Sequence, residues 1–382
     1  MDASNLLWEQ WQEQVKQFFE GVHGHQKKTL ALVVLGMILS GSAVLQRIAE
    51  SISERGLSQA KMPSIERRFA RFVANKRIVV SSVWKQFLGQ VLPYWHGKSV
   101  RLVLDCTPCG EQATIVYLGL LVHSRVLPLM WRVMPLQETW EQAQWELVGE
   151  MFDELQPHLA TCDCTVIADR GLSGSPLVKL CRDRQWHYLL RICKEHTVRR
   201  KLGQSYSAWI NCGTVVHKAG QQWFGRVCCW QEDTIQTYLS AVWDEDHREA
   251  WFLISDQPAD RRRVQEYALR MRVESTFQDS KSRGWDLEAS LIADRQRLDR
   301  LLLALFMAMW WVIHLAASCI HQGQRDRFDR HDRRDKSLFR LGCLWLKDIL
   351  RRAATSAFAA ATLTCCLPFR KTASGWRFSL RF

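Results

Sequence analysis

Two short apolar runs in this chain close in the same way. Val100 to Asp105 reads VRLVLD and Cys164 to Asp169 reads CTVIAD. Each has the length and composition of a buried strand, and each stops on an aspartate. Strands of α/β folds end at a sheet edge, where function gathers, so a carboxylate in that place is poor structural filler. The flanking pattern is that of a sheet. Ala113 to Leu121 and Val126 to Val133 continue from the first run as two more strands with tight connections. Thr139 to Leu155 reads as a helix, Gly174 to Arg184 as another, and His187 to Ile192 (HYLLRI) as a further strand.

Three antiparallel strands followed by alternating helix and strand is the element order of an α/β, ribonuclease H-like fold. The expected catalytic domain spans residues 98–320. Within it, residues 193–256 break the rhythm and are rich in Gly, Trp and Cys. Alternation returns in Gly225 to Trp230 and Ile235 to Trp243, so a β-rich insertion is expected there. Residues 1–97 read as all-α. Trp8, Trp11, Val15, Phe18, Phe19 and Val22 fall on one helical face, and Pro63 suits the first turn of a later helix. That later helix faces Ile65, Phe69, Phe72 and Val73 one way, while Arg67, Arg68 and Arg71 project elsewhere. The layout fits a DNA-contacting helix-turn-helix, and equally a small bundle with a solvated Arg face. Residues 321–382 read as a charged linker, a shorter helix and a basic tail suited to DNA contact or dimerisation.

Charge divides along the same lines. The 382 residues carry a formal net charge of +13, with 52 Lys+Arg against 39 Asp+Glu. Residues 1–97 are net +5, residues 98–320 net −1, and residues 321–382 net +9. A nucleic acid or an acidic membrane surface suits such ends. The opening MDASNLLWEQWQEQ lacks the basic start and apolar run of a secretory signal. Thr29 to Leu45 and Leu301 to Ala317 are at or below the lower limit for crossing a bilayer, and are read as core helices. Of the 13 Cys, the close pairs Cys162 and Cys164, Cys228 and Cys229, and Cys365 and Cys366 show no C-x2-C ligand spacing joined to a second such pair, which points to reduced thiols and a cytoplasmic location.

One helical segment carries the remaining chemistry. In YALRMRVESTFQDSK, the residues Tyr267, Arg270, Glu274 and Lys281 are spaced by 3, 4 and 7. On a continuous helix these spacings bring all four onto one narrow face, with Leu269, Val273 and Phe277 toward the core. A salt-bridged, solvated face would explain the charges but not the aromatic. In the expected fold the first and fourth strands lie side by side, so Asp105 and Asp169 converge and the helix delivers Glu274. Three carboxylates without His or Cys make a hard, oxygen-only donor set that selects Mg²⁺ or Mn²⁺ over Zn²⁺.

With these residues in place the chain resembles the bacterial insertion-sequence transposases with a DDE triad. It is most similar to the cut-and-paste group marked by a Tyr-x2-Arg-x3-Glu-x6-Lys signature, together with the Asp169-Arg170-Gly171 segment. The resemblance implies a catalytic triad of Asp105, Asp169 and Glu274 holding two Mg²⁺ ions, with Mn²⁺ able to substitute. It implies hydrolysis at transposon ends and strand transfer into target DNA. It gives Tyr267, Arg270 and Lys281 to backbone phosphates, with Arg170 beside them. A hairpin intermediate would need a flipped base, and Trp251, which opens the WFLIS strand, is carried over as its stacking platform. An ordinary core Trp would stand there too. Double-stranded DNA, both terminal inverted repeats and target, and a second copy of the chain are the implied partners, with no membrane. A ribonuclease H-like nuclease or recombinase acting elsewhere, or a non-catalytic DNA-binding regulator, would share part of this pattern.

Overall fold

The computed structural model describes residues 3–19, 21–111, 113–136, 143–281 and 283–352. The expected basic tail from residue 353 onward, with Cys365 and Cys366, lies outside them, as do residues 139–142 of the expected helix. Contacts divide the chain into two compact units. One is formed by residues up to Tyr94 together with those from Arg300 onward, the other by Trp95–Asp299.

The amino-terminal segment is helical throughout its described length: α1 (Ala3–Phe18), α2 (Gly24–Ser40), α3 (Leu45–Glu54), α4 (Met62–Ala74) and α5 (Val80–Val91). The apolar stretch of α2 is buried continuously from Thr29 to Leu39. α3 lays Ile48 and Ile52 against it at Gly36, where a Cβ would come 2.7 Å from Ile48. Only a glycine lets the two helices approach this closely. α4 begins with Pro63 in its first turn and buries Ile65, Phe69, Phe72 and Val73, as its periodicity predicts. Arg67 and Arg71 are exposed and Arg68 is half-buried.

The second unit is built on one sheet: β1 (Ser99–Cys109), β2 (Ala113–Val122), β3 (Arg125–Pro135), β4 (Asp163–Ala168), β5 (His187–Ile192), β6 (Thr197–Leu202), β7 (Ser205–Tyr206), β8 (Ile210–Asn211), β9 (Gln222–Cys229), β10 (Ile235–Val242) and β11 (Trp251–Ser255). The order is β3-β2-β1-β4-β5-β11-β10-β9-β6-β7, with β8 beside β6. β2 runs antiparallel to both β1 and β3, whereas β4 runs parallel to β1 and β5 parallel to β4. This mixed α/β arrangement is compatible with a ribonuclease H-like core. Residues 193–256 do not form a separate body. Their strands extend the same sheet, because β11 pairs antiparallel with β5 and β10 pairs with β11.

Helices α6 (Ala143–Leu155), α7 (Ser175–Asp183), α8 (Arg261–Ala268) and α9 (Arg272–Ser280) belong to this unit. α9 is held to the antiparallel strands by a buried ion pair between Arg125 and Asp279 and by a hydrogen bond from Val126 N to Thr276 Oγ1 (2.9 Å). The Tyr117 ring meets Phe277 edge-on at 5.2 Å. Tyr117 has room because residue 119, at a bulge between β2 and β3, is glycine. A Cβ there would lie 2.5 Å from both Tyr117 Cε1 and Val126 Cγ1.

α10 (Arg295–His321) starts in this unit and continues into the other, and α11 (Leu338–Arg352) follows. The expected catalytic segment 98–320 is therefore divided near residue 300. The physical reason is the composition of α10, which is apolar on every side from Leu301 to Ile313 and groups with the amino-terminal helices. Trp11 stacks on Trp311 at 4.3 Å, and Phe87 meets Trp310 edge-on at 6.2 Å. α10 is long and apolar enough to cross a membrane, but its most apolar window is entirely buried within the protein, as in a core helix.

Replacing Gly119 by Val should destabilise the sheet by about 1–3 kcal/mol, the usual cost of overpacking. Urea unfolding would show a lower midpoint with an unchanged slope.

Candidate active site

The parallel ladder between β1 and β4 ends at the pair Leu104 and Ala168. Asp105 and Asp169 are the next residue on each strand, so backbone register alone sets them side by side. Asp105 is not at a strand end, as the apolar run suggested. β1 continues to Cys109 because β2 goes on pairing with it, Asp105 opposite Tyr117. What ends at Asp105 is the partnership with β4.

Each aspartate has one oxygen held by the backbone and the other offered to the same cation. Asp105 Oδ1 accepts from its neighbour Cys106 N (2.8 Å), and Asp169 Oδ1 accepts from Gly171 N (2.9 Å), capping a 3-10 turn at Arg170–Leu172. Asp105 Oδ2 and Asp169 Oδ2 lie 2.7 and 3.3 Å from Arg270 Nη2. Asp105 is 8% exposed and Arg270 likewise 8%. Burial pushes the Asp105 carboxyl up to about 6. Arg270 and the Cys106 amide oppose the rise, and the negative charges of Asp169 and Glu274 add to it. Glu274, in the first turn of α9, is exposed and close enough to act on Asp105 electrostatically.

The four signature residues do not share one helical face. A 3-10 turn at Leu269–Met271 separates α8 from α9, and Lys281 lies just past the end of α9. The tighter turn changes the angular step between residues, so the single-helix reading fails. Tyr267 is buried among Ile167, Leu189, Val242, Leu253 and Val264, and burial drives its phenol far above its ordinary range. In this state it is a core side chain. Arg270 likewise faces the aspartates and not a solvent-exposed strand of DNA. Lys281 donates to the Pro108 carbonyl and pairs with Glu288 at 3.3 Å, so it ties the end of α9 to the end of β1.

Trp251 opens β11 as expected and is half-buried. Its ring is already occupied. His247 stacks on it at 5.1 Å and 18° from parallel, Tyr267 meets it edge-on at 5.2 Å, and Arg191 lies 5.7 Å from its centroid. Arg170 is exposed and pairs with Glu249 (3.0 Å), which also holds Arg191 (2.6 Å). Arg191, Glu249 and His247 were not expected at the site. Arg191 carried a legible signal: it is the one cation within the apolar HYLLRI run, one residue before its end. His247 and Glu249 lie in the connection before β11 and carry none.

Among the described residues, no three His, Cys, Asp or Glu side chains are gathered closely enough to hold a metal ion as they stand. The donor set nevertheless fits a hard divalent cation. It is all oxygen and partly buried, and burial, with the charges of Asp169 and Glu274 adding to it, raises Asp105 even with Arg270 between the aspartates.

Residues 144–311 match the family model described as the transposase DDE domain. That span includes Asp169, Trp251, Tyr267, Arg270, Glu274 and Lys281, and the match supports a DDE transposase. No curated protein matches the chain.

Between its ordinary value near 3.8 and its folded value of about 6, Asp105 holds its proton longer in the native state than in the unfolded chain. Stability therefore falls as pH rises through that window and stays lower above it. Without divalent ions, Asp105→Asn should be more stable than the parent near pH 8 by on the order of 2–3 kcal/mol. Thermal melts should show the gap closing as the pH falls toward 4.

Proposed function

We propose that this chain is a DNA transposase that cuts at the ends of its own element and joins them to target DNA. The observation that carries the reading is the placement of Asp105 and Asp169 side by side at the end of the β1–β4 ladder, with the Glu274 charge felt at Asp105. The match of residues 144–311 to the transposase DDE domain supports it.

Asp105, Asp169 and Glu274 would hold two Mg²⁺ or Mn²⁺ ions. Such ions supply Lewis-acid stabilisation of the charge that develops on a phosphodiester under in-line attack. The chain's own residues do the rest. The Gly171 and Cys106 amides fix one oxygen of each aspartate, so the free oxygens keep a defined direction. Arg270 neutralises these oxygens in the present state. Its guanidinium has the fork geometry to transfer to a strand phosphate when one arrives. Arg170 is exposed beside the aspartates and can position the adjoining backbone.

A hairpin route would use Trp251 as the platform for an extruded base. Access to the indole face requires His247 to leave it, since the imidazole already lies nearly parallel to that ring. The exposed Arg67 and Arg71 of α4, with Arg68, would grip DNA from the helical amino-terminal segment, whose net charge is +5. The active form is taken to be a homodimer on paired ends. A cytoplasmic location agrees with the 11 free thiols among the described residues.

A duplex carrying the element's terminal inverted repeat, incubated with Mg²⁺, tests the reading. Cleavage should map to the repeat boundary and joined products should follow. Glu274→Gln should slow cleavage by roughly 10³-fold while leaving metal-free affinity for the end unchanged, because it removes a metal ligand and no DNA contact. Degradation of unrelated duplex at the same rate would turn the assignment to a general nuclease. Mn²⁺ without DNA should raise the melting temperature of the parent, and of neither Glu274→Gln nor Asp105→Asn.

A further inference from the structure

The strands that extend the sheet carry a second concentration of cations, at the end of the sheet away from the aspartates. An open pocket of about 220 Å³ is lined by Arg182, Lys201, Arg226, Tyr206, Tyr238 and Asp256, among others. The register explains the grouping. Arg226 lies directly opposite Tyr238 across β9 and β10, and Lys201 opposite Tyr206 across β6 and β7. Arg199 is opposite Cys228, two residues from Arg226, so alternation puts Arg199, Lys201 and Arg226 on one face of the sheet. Arg182 reaches in from the end of α7, its Nη2 donating to the Gln236 carbonyl (2.7 Å) and to the Tyr188 hydroxyl (3.4 Å).

These cations have aromatic partners and no acidic ones. The Arg226 guanidinium is 5.2 Å from the centre of the Tyr238 ring, and its Nε donates to that residue's hydroxyl (2.9 Å). Arg199 lies between Tyr206 and Trp209, at 4.8 and 5.0 Å. Its buried Nε has no hydrogen-bond partner among the described residues. Asp256 is the one carboxylate in the lining, and it is already engaged, by His187 Nδ1 (2.6 Å) and by Tyr188 N (3.3 Å). No ion pair reaches Arg182, Arg199, Lys201 or Arg226 among the described residues. Guanidinium groups held on ring faces are preorganised, and their N–H donors remain available to oxygen acceptors.

We propose that this pocket binds the phosphodiester backbone of DNA, at a place separate from the bond that is cut. Charge selects the ligand: at least three exposed cations converge, and the single acid has its oxygens engaged by His187 and the Tyr188 amide, so an anion is favoured. Phosphate oxygens match both the guanidinium forks and the tyrosine hydroxyls. The separation follows from strand direction. Val242 pairs with Trp251, near the aspartate edge, whereas Tyr238 pairs with Ser255. Four residues of strand between Tyr238 and Val242 span about 13 Å. A duplex held here would be gripped several phosphates away from the aspartates. The inference deepens the transposase reading and rests on it.

The test uses the full-length chain carrying Lys201→Ala and Arg226→Ala together, side chains that are exposed and hold no part of the core. Binding to a labelled terminal-repeat duplex is measured without divalent ions over a salt series. Loss of two phosphate contacts should make the slope of log affinity against log salt shallower by about 1.8, and weaken binding roughly 30-fold near 0.15 M salt. Melting temperature should hold, and cleavage should persist at saturating protein. The exchanged pair Lys201→Arg with Arg226→Lys should keep the parental slope. An unchanged slope in the alanine variant, in a protein that still cleaves repeat ends, overturns the pocket and leaves the transposase reading standing. A melting-temperature rise with inorganic pyrophosphate that the alanine variant loses, with no change in DNA slope, assigns the pocket to a small anion and also overturns the proposal. A parent that neither binds nor cuts the repeat duplex removes both.

Discussion

The site depends on one guanidinium shared by two carboxylates. Arg270 comes from the turn between two helices, Asp105 from one strand and Asp169 from just past the end of its parallel neighbour, and Asp105 and Arg270 are buried where the three meet. Two aspartates brought together by backbone register would otherwise repel at short range in a poorly solvated place. Arg270 makes the arrangement tolerable, and in doing so it draws the turn at residues 269–271 down onto the sheet. The buried position of Tyr267 and the break between α8 and α9 go with that geometry. The interaction is also incomplete. Asp105 remains a reluctant anion even with its cation in place, which leaves the site able to accept further positive charge.

The strands were legible in the sequence because they are continuous apolar runs bounded by polar residues. Val100 to Asp105, Cys164 to Ala168 and His187 to Ile192 all lie in the strands where they were expected, Asp169 follows directly, and the two aspartates meet. The helix of the signature was less legible. Spacings of 3, 4 and 7 imply one face only if the step per residue is constant, and a single 3-10 turn removes that condition. Tyr267 and Arg270 look alike in the pattern, as polar side chains on a shared stripe. The structure divides them: one fills a core cluster and the other bridges acids. Nothing in a one-dimensional pattern reports which carboxylate a buried arginine will find.

The extension of the sheet shows a different limit. Its alternation was readable, but its attachment was not. Residues 193–256 have the composition of an inserted body, and the structure weaves them into the existing ladder through β11. Pairing of β5 with a strand sixty residues later depends on non-local hydrogen bonds, which leave no trace in local periodicity. The basic face of β6, β9 and β10 was hidden for a related reason. The net charge of residues 194–256 is −1, so the segment looks neutral until strand alternation sorts its cations from its acids.

The place of β11 bears on how the chain could be shortened. It covers the outer side of β5, whose Tyr188, Leu189 and Leu190 are fully buried. A core trimmed to the first five strands would leave β5 as a bare apolar edge, with unpaired amides and carbonyls ready to join any strand that passed. The extension therefore serves as the edge guard of the smaller sheet, and a trimmed protein would be expected to aggregate whatever the state of its aspartates.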